Sequence, residues 1–133
     1  MTLPTLKISR LIPVPAHRAW TLLTDTQQWP RWGPSVRAVQ CPERYLRAHS
    51  QGWVQTAVGF WLPFVITAFE DEHYWAWRVG GIPATGHRVQ PVATERCRVV
   101  FEVPLIAAPY GIVCQRALDR IARLLAAPDE LVP

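Results

Sequence analysis

The chain has 133 residues, of which 50% are hydrophobic and 18% are charged, so it predicts one globular domain over residues 1–133 rather than a disordered chain. Its net charge of +4 comes from thirteen arginines and the single Lys7 against ten acidic residues. The arginines are scattered and form no basic tract, which argues against nucleic acid as a partner.

Four elements are predicted before Gly52: a strand over Leu6–Ile12, a helix over Pro15–Thr24, a short second helix over Thr26–Trp32 and a strand over Val36–Gln40. Pro15 suits the first position of a helix, because its missing N–H is not needed there and its φ is already helical. Trp29 and Trp32 flank Pro30 in a segment that we expect to be too short to bury both rings completely.

From Gly52 onward the sequence predicts antiparallel strands. Segments rich in aromatic and β-branched residues alternate with breaks short enough for hairpins. The predicted strands are Trp53–Val58, Phe64–Phe69, Tyr74–Val79, Thr85–Val92 and Arg96–Val103. The breaks fall at Gly59, Glu70–His73, Gly80–Pro83 and Ala93–Glu95. Phe60, Trp61 and Leu62 would form an apolar loop between two strands, which is a candidate gate.

A longer amphipathic helix is predicted after Pro109, over Tyr110–Ala126. Its apolar residues recur every three or four positions, whereas arginines and Asp119 occupy the opposite side. Together these elements predict an α+β fold in which a curved antiparallel sheet wraps around the C-terminal helix. Ala117 and Ile121 would face the sheet, and a cavity would lie between sheet and helix.

The opening segment of the chain resembles a known family. The pattern Ile-x-x-Pro-x-x-x-x-Trp-x-x-x-x-Asp-x-x-x-Trp-Pro-x-Trp, which ends at Trp32, resembles the start of START-like (SRPBCC superfamily) domains, particularly the polyketide cyclase/dehydrase group. The later segment GHRVQPVATERCRVVFEVP is similar to the paired late strands of that family. The resemblance implies a helix-grip fold with a deep cavity for hydrophobic molecules, whose entrance the Trp29–Trp32 region helps to close. Because the family includes lipid carriers, hormone receptors and aromatase/cyclases, it does not fix an activity.

Metal and redox sites are not predicted. Cys41, Cys97 and Cys114 are odd in number and too far apart for a metal knuckle or a redox pair. The four histidines also lack ligand spacing, so we expect no metal. The sequence has neither a signal-peptide pattern nor a run of about 18 apolar residues. It therefore predicts a cytoplasmic protein without stable membrane insertion.

Three polar residues stand out as candidate catalytic groups. His87 alternates with Val89 on the apolar side of its strand, where it is either a core histidine satisfied by a neighbour or a group that moves a proton for a ligand. Arg10 lies between Ile8 and Ile12 on the first strand; it would pair with an acid such as Glu70, hold an oxygen-rich ligand, or extend into water at a rim. Tyr110 would either pack normally or direct its hydroxyl into the cavity.

Tryptophans and alternating apolar residues supply the candidate ligand-binding wall. Seven tryptophans are many for this length, and tryptophan often lines cavities because its ring is bulky and its N–H needs a partner. The candidate ligand-binding residues are Trp20, Trp29, Trp32, Trp53, Phe64, Ile66, Trp75, Trp77, Val89, Phe101, Val113 and Ala117.

Three functional hypotheses follow. The first is a protein that binds a small hydrophobic ligand, aromatic or polyketide-like, and also cyclises or dehydrates it without a cofactor, using His87, Arg10 and Tyr110. The second is a carrier or sensor that binds a hydrophobic ligand without changing it. The third is a protein-interaction module that exposes Trp29–Trp32 and Phe60–Leu62. Either a monomer or a homodimer is compatible with the sequence.

Overall fold

Seven strands and three α-helices follow one another in residues 4–126, the part of the chain that the computed structural model describes. The strands are β1 (Thr5–Ile12), β2 (Val36–Gln40), β3 (Gln51–Thr56), β4 (Trp61–Glu70), β5 (Tyr74–Val79), β6 (Ile82–Ala93) and β7 (Arg96–Pro104). The helices are α1 (Ala16–Thr24), α2 (Trp29–Trp32) and α3 (Gly111–Ala126), with 3₁₀ segments at Thr26–Gln28 and Leu105–Tyr110.

All seven strands belong to one antiparallel sheet with the order β1-β7-β6-β5-β4-β3-β2. Strands β2 to β6 are therefore each paired with the next strand along the chain. The first strand joins the other edge, where Ile8 of β1 lies opposite Phe101 of β7. This meander confirms the predicted α+β class and the helix-grip arrangement.

Helix α3 packs its apolar side against the sheet. Ala117 and Ile121 are buried, as the spacing of the apolar residues predicted. The helix starts one residue later than predicted because Tyr110 still belongs to the preceding 3₁₀ segment. At Gly111 a Cβ atom would lie 3.0 Å from Cδ1 of Ile8, so glycine lets the start of α3 approach β1 closely.

Several predicted boundaries are wrong by a few residues. The strand predicted over Trp53–Val58 is β3, which starts and ends two residues earlier. Ile82 and Pro83 do not belong to a break; they pair with Val79 and Arg78, because Gly80 and Gly81 both adopt positive φ and make a tight two-residue turn. Trp61 and Leu62, predicted in the apolar loop, are the first residues of β4.

Both tryptophans of α2 are buried, so the prediction that the segment is too short to bury them is wrong. Trp29 is 1% exposed and Trp32 is 6% exposed. The indole N–H of Trp29 donates to the Leu23 carbonyl at 3.0 Å. These rings reach the interior because α2 lies across the concave face of the sheet, where Trp29 contacts the rings of Phe64 and Trp75.

Within residues 4–126, none of the helices combines the length and the apolar character that crossing a bilayer requires.

Candidate functional site

A largely apolar cavity of about 430 Å³ opens at one end of the sheet. It lies between the ends of the central strands, the start of β2 and the 3₁₀ segment that leads into α3. A volume of this size is within the ordinary range of small-molecule sites. The lining residues are Ser35, Val36, Val54, Thr56, Ala57, Val58, Trp77, Val79, Pro83, Ala84, Thr85, Val103, Pro104, Ala107 and Tyr110.

A much smaller chamber of about 40 Å³ adjoins this cavity on its inner side. The two spaces share Ser35, Val36, Trp77, Thr85 and Tyr110 as walls. The chamber is otherwise lined by residues of α2 and its exit, of the sheet and of α3: Trp29, Trp32, Gly33, Pro34, Trp75, His87, Phe101, Val113, Cys114 and Ala117.

Aromatic packing explains why the chamber is small. The rings of Trp29 and Trp75 stack with centroids 5.4 Å apart. The ring of His87 also stacks on Trp75, with centroids 3.8 Å apart. Trp32 contacts both His87 and Phe101. The residues predicted to wall an open cavity therefore fill most of that space themselves, and the larger cavity lies beside them.

His87 belongs to a hydrogen-bond chain that satisfies both of its ring nitrogens. Its Nδ1 lies 3.2 Å from the Trp75 carbonyl, which can only accept, so Nδ1 carries the proton. Its Nε2 is then an acceptor for the Thr85 hydroxyl at 3.0 Å. Thr85 in turn accepts the indole N–H of Trp77 at 3.1 Å. Both polar atoms of the histidine are thus used within the protein.

Burial keeps His87 neutral. The side chain is 2% exposed, and burial lowers its pKa to about 3, although the hydrogen bond to the Trp75 carbonyl acts in the opposite direction. A histidine that stays unprotonated through the neutral range is unsuited to general acid catalysis at pH 7. This geometry favours the alternative of a satisfied core histidine.

Two buried indole N–H groups have no hydrogen-bond partner within residues 4–126. They are Nε1 of Trp32 and Nε1 of Trp75, and both side chains line the small chamber. A buried donor without a partner costs about 1–3 kcal/mol of stability. Because these two nitrogen atoms have almost no accessible surface, the packing of the rings leaves no room for an acceptor beside either N–H.

Tyr110 lies at the boundary between the two spaces. Its hydroxyl makes a short hydrogen bond with the Ser35 hydroxyl, which joins the 3₁₀ segment before α3 to the loop before β2. Burial raises the pKa of Tyr110, and the hydrogen bond with Ser35 partly opposes this. The structure thus places Tyr110 on the cavity wall, as the sequence suggested, with its hydroxyl already engaged.

Arg10 does not enter the cavity. Its guanidinium donates to the carboxylate of Asp119 on α3, and both side chains remain nearly half exposed. The suggested pairing with Glu70 is wrong, because α3 crosses the sheet beside β1 and brings Asp119 to it. The rim position with the charged group in water is the alternative that the structure supports.

Five of the candidate ligand-binding residues lie away from both spaces. Trp20 packs against Phe69 with ring centroids 5.8 Å apart. Phe64, Ile66 and Val89 are buried in the core of the sheet. Trp53 is 48% exposed, because its position in β3 points it away from the concave face. The other seven, Trp29, Trp32, Trp75, Trp77, Phe101, Val113 and Ala117, line the cavity or the chamber.

Sequence reasoning missed the polar residue at the junction of the two spaces. Thr85 is 7% exposed and borders both of them. Its period-two spacing from His87 already placed it on the same face of β6. Ser35 was also missed, and only its contact with Tyr110, which is distant in sequence, identifies it.

The walls of both spaces carry no charged side chain among the residues that the structure describes. Burial raises the pKa of Cys114 to about 11, so this thiol also stays neutral. Residues 4–126 contain no group of three or more histidine, cysteine or acidic residues placed to hold a metal ion. The site is therefore suited to a neutral, mostly apolar molecule.

Solved structures with the same fold include proteins from several bacteria. XoxI from Bacillus cereus superposes with a TM-score of 0.74 at 12% identity, covering 96% of this chain and 99% of that one. The Zhui aromatase/cyclase from a Streptomyces species gives a TM-score of 0.72 at 13% identity, covering 95% of each chain. A protein from Nitrosomonas europaea gives 0.67 at 18% identity, covering 95% and 96%. At these identities the likeness concerns the fold alone.

Sequence comparison identifies the family. No curated protein matches the chain significantly. The family model described as polyketide cyclase/dehydrase and lipid transport matches residues 4–126, nearly the whole length. This match and the helix-grip fold confirm the START-like resemblance of the opening motif. The chain belongs to the polyketide cyclase/dehydrase and lipid transport family.

Proposed function

We propose that this protein binds one neutral, largely apolar small molecule in the 430 Å³ cavity and carries or senses it without acid–base chemistry. The observation that supports this most directly is the lining, in which valine, alanine, proline and tryptophan side chains surround a few hydroxyl groups. Burial of apolar ligand surface against such a wall is the main source of affinity.

The titratable groups beside the cavity support binding over catalysis. A proton-transfer catalyst works best when its pKa lies near the working pH. Burial lowers the pKa of His87 to about 3 and raises the pKa of Cys114 to about 11, and the pKa of Tyr110 also rises. None of the three is poised to exchange a proton near pH 7.

The interaction-module hypothesis loses half of its proposed surface. Trp29 and Trp32 are buried, so they cannot form an exposed patch with Phe60. Cyclisation or dehydration, the two reactions that the family description names, is an outcome that the binding experiment can reveal.

The test is a titration with the neutral fluorophore N-phenyl-1-naphthylamine, together with native mass spectrometry of the purified protein. We expect saturable binding of one molecule and enhanced fluorescence. Ala107→Trp should abolish it, because Ala107 lines the cavity and an indole would fill the space. Ala93→Trp is the matched control, since Ala93 is exposed at the far end of β6 and should leave binding intact.

Two results would overturn the proposal. One is the absence of saturation with wild-type protein; the other is equal binding by Ala107→Trp and wild type. A co-purifying compound that the protein converts into a product of different mass would show an enzyme instead of a carrier.

A further inference from the structure

The most exposed apolar side chains of the protein lie around the mouth of the cavity. Among residues 4–126, five large apolar residues have exposed fractions between 67% and 96%, and we call them the rim: Val58, Phe60, Ile82, Ile106 and Ile112. They belong to the β3–β4 turn, the start of β6, the 3₁₀ segment before α3 and the first turn of α3. The first three of these segments also supply walls of the cavity. Single exposed apolar residues are ordinary, but a set concentrated around one opening indicates an interaction surface.

The segments that carry the rim hold no charge. Residues 54–62, 79–86 and 103–115 contain neither an acidic nor a basic side chain. Glu70, Asp71, Glu72 and Glu95 instead lie in or beside the β4–β5 and β6–β7 turns, at the opposite end of the sheet. The mouth of the cavity is therefore surrounded by apolar segments, and this group of acidic residues lies far from it.

Three exposed arginines lie just behind the rim, and we call them the arginine collar. Arg37 is the second residue of β2, whose first residue lines the cavity. Arg78 donates to the Gly81 carbonyl at 3.3 Å, which places its guanidinium beside the β5–β6 turn. Arg116 follows Ile112 by four residues, so it lies about 6 Å farther along the same side of α3. None of the three arginines forms an ion pair within residues 4–126, so their charges are available to a partner.

We propose that the rim and the arginine collar dock reversibly on a bilayer that contains anionic lipid, with the mouth of the cavity facing the membrane. The apolar side chains enter the headgroup region, and the arginines behind them contact lipid phosphates. No segment crosses the bilayer. The inference goes beyond the proposed function, because docking requires only the rim and the collar. It adds a route by which an apolar ligand passes between the bilayer and the cavity without crossing water.

A second copy of the chain fits this surface less well than a bilayer does. Two mouths related by a twofold axis would bring two arginine collars together, and the rim segments offer no acidic residue to pair with them. Anionic lipid supplies that negative charge. Because lipid is fluid, it also accommodates side chains that protrude from separate segments without a complementary shape.

The test is flotation with vesicles of phosphatidylcholine alone and of phosphatidylcholine with about 30% phosphatidylglycerol. Each arginine near an anionic surface contributes roughly fivefold in affinity, so the wild type should bind the mixed vesicles about tenfold or more tightly. High salt should reduce this difference, because it screens the charges. Titration with N-phenyl-1-naphthylamine in vesicle-free buffer measures the cavity separately.

The double variant Phe60→Ser with Ile106→Asn tests the rim. It should weaken binding to the mixed vesicles by about tenfold or more, because two large apolar side chains no longer enter the lipid. Both residues are exposed and neither lines the cavity, so the fold and the affinity for N-phenyl-1-naphthylamine should persist. Val92→Asn is the matched control, since Val92 is an exposed apolar residue at the far end of β6 and should leave vesicle binding unchanged.

Arg116→Gln tests the collar. It should weaken binding to the mixed vesicles roughly fivefold and leave binding to phosphatidylcholine alone unchanged. Arg96→Gln is the matched control, because Arg96 is exposed at the start of β7, at the end of the sheet opposite the mouth. It removes the same charge and should have a smaller effect on either kind of vesicle.

The outcomes separate docking from ligand binding. If the wild type binds N-phenyl-1-naphthylamine but neither kind of vesicle, the docking inference is wrong and the proposed function stands. Vesicle binding that the double rim variant retains in full also overturns the inference, because the contact then lies elsewhere. A wild-type dimer in sedimentation velocity that the same variant dissociates would show that a second copy covers the rim instead. If vesicles bind and the fluorophore does not, docking stands and the proposed function fails.

Discussion

His87 links three elements of the interior through hydrogen bonds and stacking. Its Nδ1 donates to the backbone of β5, its Nε2 accepts from Thr85 on its own strand, and its ring lies against Trp75 and near Phe101 of β7. Removing it leaves buried polar atoms without partners. We therefore expect substitution of His87 to lower the stability of the fold and not the affinity for the ligand.

We predict that His87→Phe lowers the free energy of unfolding by about 1–3 kcal/mol, the usual cost of unpairing a buried polar group. The aromatic ring retains most of the volume and burial, so the fold should persist. Urea unfolding measures the loss, and titration with N-phenyl-1-naphthylamine measures the affinity, which should stay unchanged. Lost affinity at unchanged stability would instead make His87 a ligand-contacting residue.

The low pKa of His87 also predicts a pH dependence of stability. The unfolded chain takes up a proton near pH 6.5, whereas the folded protein does so only near pH 3, since burial lowers this pKa. Between these values the unfolded state binds more protons, so stability falls as the pH falls, by up to about 1.4 kcal/mol per pH unit. Above pH 6.5 this contribution to the slope vanishes.

Urea unfolding at several pH values between 3.5 and 7 would measure this slope. His87→Phe provides the control, because it removes the titrating group. The pH dependence of its unfolding free energy should correspond to the uptake of up to one proton fewer. Equal slopes in the two proteins would show that His87 titrates normally in the folded state and would contradict its neutral assignment.

At the scale of elements, the corner between α1 and α2 depends on Asp25. Its buried carboxylate accepts from the backbone N–H of Gln27 at 3.0 Å and from the guanidinium of Arg44 at 3.1 and 3.2 Å. The first contact caps the 3₁₀ segment Thr26–Gln28, and the second attaches the loop before β3. Asp25 thereby orients α2, which carries Trp29 and Trp32 onto the sheet.

We predict that Asp25→Ala lowers the free energy of unfolding by about 1–3 kcal/mol, because it removes a helix cap and the charge-assisted hydrogen bonds from Arg44. Asp71→Ala is the matched control, since Asp71 is exposed in the β4–β5 turn and should change stability little. Thermal unfolding of both variants provides the measurement. Equal midpoints for the two variants would show that the corner does not depend on the carboxylate.

Sequence periodicity predicted the strands and α3 well because the apolar residues of each element recur at a regular spacing on one face. The spacing of apolar residues in the sequence does not reveal where the cavity lies. Alternation shows that Trp75 and Trp77 face inward, but it does not show that Trp29 arrives from α2 to stack on Trp75. The rings then close the predicted space, and the cavity lies where the side chains are small, around Ala57, Ala84 and Ala107.

On the scale of the whole molecule, the cavity lies at one end of the sheet. The cavity is bordered by the start of β2, the β3–β4 turn, the β5–β6 turn and the end of β7. In an antiparallel meander these positions all lie at one end. The opposite end, with the β4–β5 and β6–β7 turns, contributes nothing to the cavity lining.

This asymmetry predicts where bound ligand slows hydrogen exchange. Saturation with N-phenyl-1-naphthylamine should reduce deuterium uptake in residues 54–60, 80–85 and 103–110, because their backbone borders the cavity. Rapidly exchanging amides of residues 71–73 and 94–95, in the turns at the far end, should not change. Slowly exchanging amides throughout the sheet should gain protection together, since a ligand at 100 times its Kd raises global stability by ~2.7 kcal/mol. The Ala107→Trp protein, measured with the same probe by mass spectrometry, should show neither effect. Protection confined to the far end would mean that the probe binds elsewhere and that the cavity is not the site.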